Sequence, residues 1–389
     1  MDYQRRIDDR LLRRLKPVGV DETRAGSLGD AGQGAVQSTS NVVYLSTGPE
    51  LRLLFDVQGA GLQPASWYNT AWTKRVLVLA GLTGTQEHSA FQVYLSEANM
   101  PTTLFSTAKA DGSDLRVCSA DGTTLLSHDL VHFNAAGTME VHVRTPLAAG
   151  PDPTPLWLYY GNPAASAPSA GDKAAVWSEY LQVMHLGETA GAYADSSTNG
   201  QDGTDHGTAR GQAGQLYATG ACTFDGTADW IGLLGLTSAV QTYTFSMWCA
   251  STQNTTPQKY LLDVETGRLA LAWNTGVANK IGWYDGAMKS VAAPPSDGAY
   301  HHIVYVLQSG VGGTLYIDGV PYTGTYTPLN IGGAAALGAR YNGGSLWYAG
   351  SLDEFRILEA ARSAAWVSTE LANQSDPATF ATCLLYQEQ

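Results

Sequence analysis

Near the C-terminus, the stretch Tyr348-Ala349-Gly350-Ser351-Leu352-Asp353-Glu354-Phe355-Arg356-Ile357-Leu358 sets the terms for the rest of the chain. Apolar and polar residues alternate around Leu352, Phe355, Ile357 and Leu358, and Gly350 ends the preceding loop, so the stretch reads as a strand. A strand cannot stand alone, because its backbone donors and acceptors need neighbours. Candidate neighbours precede it in order: Thr223 to Gly226, Tyr243 to Trp248, Tyr300 to Val306 and Leu315 to Gly319. Further alternating runs begin at Val42 and continue through Leu51–Phe55, Lys74–Val78, Phe91–Leu95, Leu115–Cys118, Met139–Val143 and Pro155–Tyr160. Two Asp-Gly steps, Asp111-Gly112 and Asp121-Gly122, bracket one of these runs as hairpin turns require. Such a chain is all-β.

Composition agrees. Only 15% of residues are charged, while Gly numbers 43 and aromatics make up 10%, which suits sandwiches with tight turns. The net charge is −13, yet residues 1 to 16 hold six Lys/Arg and three Asp/Glu, so the remainder carries −16. An acidic body repels phosphate backbones and excludes nucleic acid as a partner. No run of about 18 apolar residues is present to span a bilayer. No apolar segment follows the basic N-terminus, so a secretory signal is not expected. The four cysteines, Cys118, Cys222, Cys249 and Cys383, lack metal-ligand spacing; they read as free buried thiols or as one Cys222–Cys249 bridge.

Three parts follow in chain order. Residues 1–41 carry a short amphipathic helix, with Ile7, Leu11, Leu12 and Leu15 on its apolar stripe, ended by Pro17 and followed by a flexible arm. At this length the helix needs a surface, either a groove on another protein or its own domain. Residues 42–172 form a β-sandwich domain, closed by a linker rich in Ala, Ser, Pro and Gly. Residues 173–389 form a second sandwich, with a closing helix around Ala364 to Leu371 and a tail.

Three groups of residues invite chemistry. His301-His302 on a strand face opposite ways, one towards the core and one towards the surface, and no nucleophile elbow accompanies them. Asp195-Ser196-Ser197-Thr198-Asn199-Gly200 has spacing that wraps oxygen ligands around Ca²⁺, but His206 stands where an EF-hand needs Glu; the other reading is an Asx-turn. Rings and amides beside Gly turns, Trp283, Tyr284, Tyr341, Asn342 and Trp347, suit a sugar, whose flat face stacks on a ring while amides read its hydroxyls.

The ordered motifs from Thr223 to Leu358 resemble the LamG-like, or concanavalin A-like, jelly roll over roughly residues 175 to 373. Ser113-Asp114-Leu115-Arg116, Ala120-Asp121-Gly122-Thr123 and Leu158-Tyr159-Tyr160-Gly161-Asn162-Pro163 resemble the β-domain that precedes such jelly rolls in tailed-phage and bacterial surface proteins. The first resemblance implies a structural Ca²⁺ held by Asp195, Asn199 and Asp353. It also raises the glycoside hydrolases that share the fold and carry carboxylates at i, i+2 and i+4 of one strand. Here Asp353 and Glu354 are adjacent and are expected on opposite faces, which argues against that enzyme class. The pair of resemblances implies a non-enzymatic phage virion protein, of tail, fibre or capsid decoration. It would be made in the host cytoplasm, anchored to other virion proteins by its arm, arrayed as a homo-oligomer and displaying its outer domain to host-surface glycans. The alternatives are a bacterial surface carbohydrate-binding protein and a polysaccharide-degrading enzyme.

Overall fold

The computed structural model describes residues 67–389 apart from 84–85, 151–152, 234–235, 255–256, 265–267, 278 and 341, together with the strands Val42–Ser46 and Leu51–Asp56. The anchoring residues Ile7, Leu11, Leu12 and Leu15, and the ring of Tyr341, lie outside the described residues. The described chain is mostly β, with several antiparallel sheets forming sandwiches and few helices. It divides into one unit of Met1–Ser169 with Asp376–Gln389 and a second of Ala170–Ser375.

In the first unit a five-stranded antiparallel sheet runs in the order Ala381–Glu388, Lys74–Ala80, Thr154–Tyr160, Arg116–Cys118, Leu125–Leu126. A three-stranded sheet runs His88–Ser96, Thr138–Leu147, His128–Asn134. Val76, Val78, Val93, Leu95, Val141, Val143 and Leu158 are fully buried among them. The two motifs of this domain meet at one carboxylate. Asp114 is fully buried, and its Oδ2 accepts the N–H groups of Gly161 at 2.7 Å and Asn162 at 3.1 Å, while Oδ1 accepts Lys109 N–H at 2.9 Å. Gly161 holds φ at +82°, a conformation that favours glycine. The Tyr-Tyr-Gly-Asn turn is thus shaped to point two backbone donors at Asp114.

The expected domain boundary is corrected at the C-terminus. The sequence pattern puts the tail with the second sandwich, but Ala381–Glu388 pairs along the whole of Lys74–Ala80, from Ala381 opposite Ala80 to Glu388 opposite Lys74. The second unit is therefore inserted in chain order before the last strand of the first. Local alternation could not reveal this, because an edge strand reads the same whichever sheet it joins.

The second unit is two sheets around one core. An eight-stranded sheet has the path Ala209–Gln212, Ala221–Asp225, Ala349–Leu358, Tyr243–Ala250, Tyr300–Gln308, Gly312–Ile317, Val320–Gly324, with Tyr180–Met184 also on Ala349–Leu358. A seven-stranded sheet runs Thr204–His206, Trp230–Leu233, Ala335–Leu337, Lys259–Val264, Leu269–Asn274, Ile281–Tyr284, Met288–Ala292. Phe224, Phe245, Met247, Leu271, Trp273, Trp283, Tyr305, Leu352 and Phe355 fill the space between them. Cys222 and Cys249 both sit in this core as free thiols, and burial drives both well above the ordinary thiol range.

Ala349–Leu358 is the hub of its sheet. One edge pairs with Tyr243–Ala250; the other is shared, with Ala221–Asp225 on its first half and Tyr180–Met184 on its second. At the changeover the strand bulges. Ser246 pairs Arg356 and Trp248 pairs Asp353, so one residue of the neighbour opposes two of the hub, and Glu354 takes φ +56°.

Deleting residues 381–389 would leave Lys74–Ala80 as an unpaired sheet edge. The expected outcome is loss of hydrogen-exchange protection across Lys74–Ala80 and a lower melting transition for the first unit, with exchange in Tyr243–Ala250 and Ala349–Leu358 unchanged. Equal protection in the truncated and full chains would contradict the pairing.

Candidate functional site

The bulge decides what the hub strand offers on the face turned away from the core. Residues directly opposite in a ladder share a face, and residues two apart on one strand share a face. Ser246 and Trp248 share a face, so their partners Arg356 and Asp353 do too. The extra residue brings the Glu354 carboxylate to the same side, where it meets both Arg356 and His185. The expectation that Asp353 and Glu354 face opposite ways is thereby corrected: one inserted residue breaks the strict alternation on which it rested.

Both acids are committed to structure. Arg356 Nη1 donates to Glu370 Oε1 at 2.9 Å from the helix Ala364–Ser375, and Nη2 to Glu354. Glu370 Oε2 accepts Ser246 Oγ–H at 2.9 Å and lies 3.2 Å from His302 Nε2. The Arg356 guanidinium sits 4.7 Å over the Trp177 ring, and Trp248 Nε1 donates to Gln374 at 2.6 Å. Burial would lower the Arg356 pKa, but the Glu354 and Glu370 carboxylates outweigh it and hold the cation firmly charged. Burial likewise pushes Glu370 up, and His302, Arg356 and Ser246 together bring it below the ordinary carboxylate value. Asp353 accepts the N–H groups of Gln215 at 2.7 Å and Leu216 at 3.2 Å; even so, burial and the neighbouring Glu354 push it up to about 8. Asp353 and Glu354 are 1% and 2% exposed, too closed to reach a polymer.

The expected Ca²⁺ ligands make hydrogen bonds to the surrounding chain. Asp195 Oδ1 accepts Val183 N–H at 3.0 Å and Ser197 N–H at 2.9 Å, and Oδ2 accepts Ser197 Oγ–H at 2.8 Å and Gln201 N–H at 2.9 Å. Asn199 turns its Nδ2 to Leu181 O at 2.9 Å. With Asp353 holding two amides, the three residues take part in hydrogen-bonded turns.

The two histidines part as expected. His302 is fully buried beside Trp248, with ring centroids 5.0 Å apart. His301 is partly exposed between Asp318, 2.6 Å from Nδ1, and Asp297, 3.0 Å from Nε2. Burial would lower its pKa, but those two acids raise it above the ordinary histidine value.

The outward face of the seven-stranded sheet is different in kind. Alternation sends Leu271, Trp273, Ile281 and Trp283 into the core and leaves Ala270, Ala272 and Tyr284 on the other side, with Tyr260, Met288 and Leu346. Trp283, expected among the sugar contacts, is thus a core residue. Gly313 and Gly324, across the sandwich, leave it room: a Cβ at either would run into its indole. Tyr284 remains on the outward face beneath the Arg340 guanidinium, which lies 5.4 Å from its ring and 4.9 Å from that of Tyr260. Arg340 N–H also donates to Ser345 O, which ties the base of the segment carrying Asn342 and Trp347. Asn342 is exposed, and half-buried Trp347 donates from Nε1 to Gly343 O at 3.0 Å. Gly343 in turn abuts the Trp230 indole, where a Cβ would not fit. Trp230 and its stacked neighbour His206 were not among the expected contacts; an isolated Trp at a strand start carries no signal by itself.

Residues 225–368 match the laminin G-type family model described as the concanavalin A-like lectin/glucanases superfamily. This stretch is similar to concanavalin A-like lectin/glucanase domains. The structural unit is wider than the match, since Tyr180–Met184 completes the hub strand's edge. Among solved structures, domain 4 of an extracellular arabinanase from Geobacillus stearothermophilus, in complex with arabinotriose, is 21% identical at TM-score 0.39, covering 50% of this chain and 99% of that one. The binding domain of botulinum neurotoxin serotype D is 13% identical at TM-score 0.39, covering 50% and 52%. Trypanosoma rangeli sialidase is 11% identical at TM-score 0.39, covering 60% and 42%. This chain thus spans about half or less of the neurotoxin and sialidase chains. Comparison with curated proteins yields no match.

Two outcomes follow. Arg356→Met strands two buried carboxylates, and chemical denaturation should show a loss of about 3–5 kcal/mol; a loss within error of zero would contradict the network. For His301 the folded pKa is raised, so its contribution is full below the unfolded value and is lost as pH rises through the folded one. Melting temperature against pH should therefore fall across that window in the native protein and be flatter in His301→Gln.

Proposed function

We propose that this protein is a non-enzymatic phage virion component, structural or adhesive, whose concanavalin A-like domain binds a host-surface glycan on the outward face of its seven-stranded sheet. The observation that carries the glycan reading is that exposed Asn342 and half-buried Trp347 sit on or next to the segment tied at Arg340, whose guanidinium also lies over the half-buried Tyr284 ring. Rings supply flat apolar area and amides supply oriented donors, the usual combination in a small-ligand site. The opposite sheet supports the absence of turnover, since its Asp353 and Glu354 are sealed into an ion network. Binding of this kind calls for no metal. The virion role rests on the resemblance of both sandwiches' motifs to domains found in tailed-phage as well as bacterial surface proteins, with residues 1–41 as the anchor to other virion proteins and the copies arrayed symmetrically.

The test is a glycan array probed with the full chain, followed by titration of any hit. Asn342→Ala and Trp347→Ala are each expected to weaken binding by about tenfold or more, on the order of 1.4 kcal/mol, at an unchanged melting temperature. Binding to no glycan would overturn the glycan reading, and failure of both the full chain and a form lacking residues 1–41 to join virions would overturn the virion role.

A further inference from the structure

Trp230, a large ring on the outward face, carries a flat aromatic partner. The His206 imidazole lies on it with ring centroids 3.9 Å apart and planes 2° from parallel. The two residues are cross-strand partners, and Gly232, next on the same face, keeps the space beside both rings clear: a Cβ there would come within 3.2 Å of the indole and 3.5 Å of His206 Nε2. The backbone of Gly343 closes against the same indole, and Trp347 holds that glycine's carbonyl. Trp230 is therefore fixed from behind, and what covers it in front is a side chain that is itself exposed.

We propose that the His206–Trp230 pair is a gated sugar platform, in which the imidazole holds the place of a neutral pyranose ring and swings aside when that ring stacks on Trp230. This rests on the glycan reading above. Among the described residues no hydrogen bond or ion pair holds the His206 ring, so stacking alone keeps it in place. His206 ends the short edge strand Thr204–His206 and is followed by Gly207 at φ +96°, so rotation of its side chain breaks no ladder bond. A pyranose presents a row of polarised C–H groups on one face, which meets the electron-rich face of an indole at the spacing the imidazole now occupies. The neighbouring charges are engaged: Asp205 accepts Thr208 N–H at 3.1 Å and Arg210 Nε–H at 3.2 Å, and Asp229 accepts Asp225 N–H at 2.9 Å. The exposed amide of Asn342, next to Gly343 in the chain, supplies donors and an acceptor for hydroxyls. The Asp205 and Asp229 carboxylates near His206 and Gly207 disfavour an acidic sugar, which leaves neutral ones.

The experiment is calorimetric titration of the full chain with cellotriose, mannotriose and galactotriose, beside the glycan array. His206→Ala removes the group that the sugar must displace and is expected to tighten binding several-fold. Trp230→Ala is expected to weaken it at least tenfold, while Trp230→Phe, which keeps a ring, retains most of it; near-ultraviolet circular dichroism checks that each variant is folded. If His206→Ala binds no better than the native protein, or Trp230→Ala binds as well, while Trp347→Ala still abolishes binding, this platform is wrong and the glycan reading stands. If the native protein and His206→Ala both bind no sugar, the two fall together. A response confined to sialylated or uronic glycans overturns the choice of neutral sugars.

Discussion

A single buried guanidinium organises the second unit. Removing a cation from water costs several kcal/mol unless opposite charges and full hydrogen bonding offset it. Arg356 meets that demand with carboxylates from two directions, Glu354 beside it on the hub strand and Glu370 on the covering helix. The first partner is within reach only because the strand bulges at Glu354, and the second only because Ala364–Ser375 lies over the sheet. Helix and bulge thus serve the same electrostatic requirement, and removing either would leave Arg356 with an unpaired buried charge.

This arrangement divides labour between the two sheets. The eight-stranded sheet turns Asp353, Glu354, His302 and Arg356 away from the core and then covers them. The seven-stranded sheet turns outward small residues and rings, Ala270, Ala272, Tyr284, Trp230, with a tied segment bearing Asn342 and Trp347 at its side. Glycines set the boundary: Gly313 and Gly324 draw Trp283 inward, and Gly343 seats Trp230 outward.

The first unit is governed by a different constraint. Its five-stranded sheet gains its last strand from Ala381–Glu388, after the whole second unit has intervened. Its turn chemistry is local by contrast, since Asp114 gathers Lys109, Gly161 and Asn162 and so unites two motifs that look unrelated in the primary structure.

By itself the sequence determined the all-β class, the order of the strands, the hub at Ala349–Leu358, the closing helix and the separation of His301 from His302. These follow from alternation, turn chemistry and helix periodicity, which act over a few residues and are written in the chain. Tertiary structure alone decided the rest. A bulge at Glu354 inverted the facing of the acids, because one extra residue shifts every later side chain and leaves no trace in a pattern of period two. Trp283 and Tyr284 were legible as a pair of rings, but which of them met water depended on which sheet face the core occupied. His206 and Trp230 stack across two strands that are distant in sequence. The C-terminal strand found its sheet across the intervening unit, because pairing is settled by which edge is open in three dimensions and not by proximity along the chain.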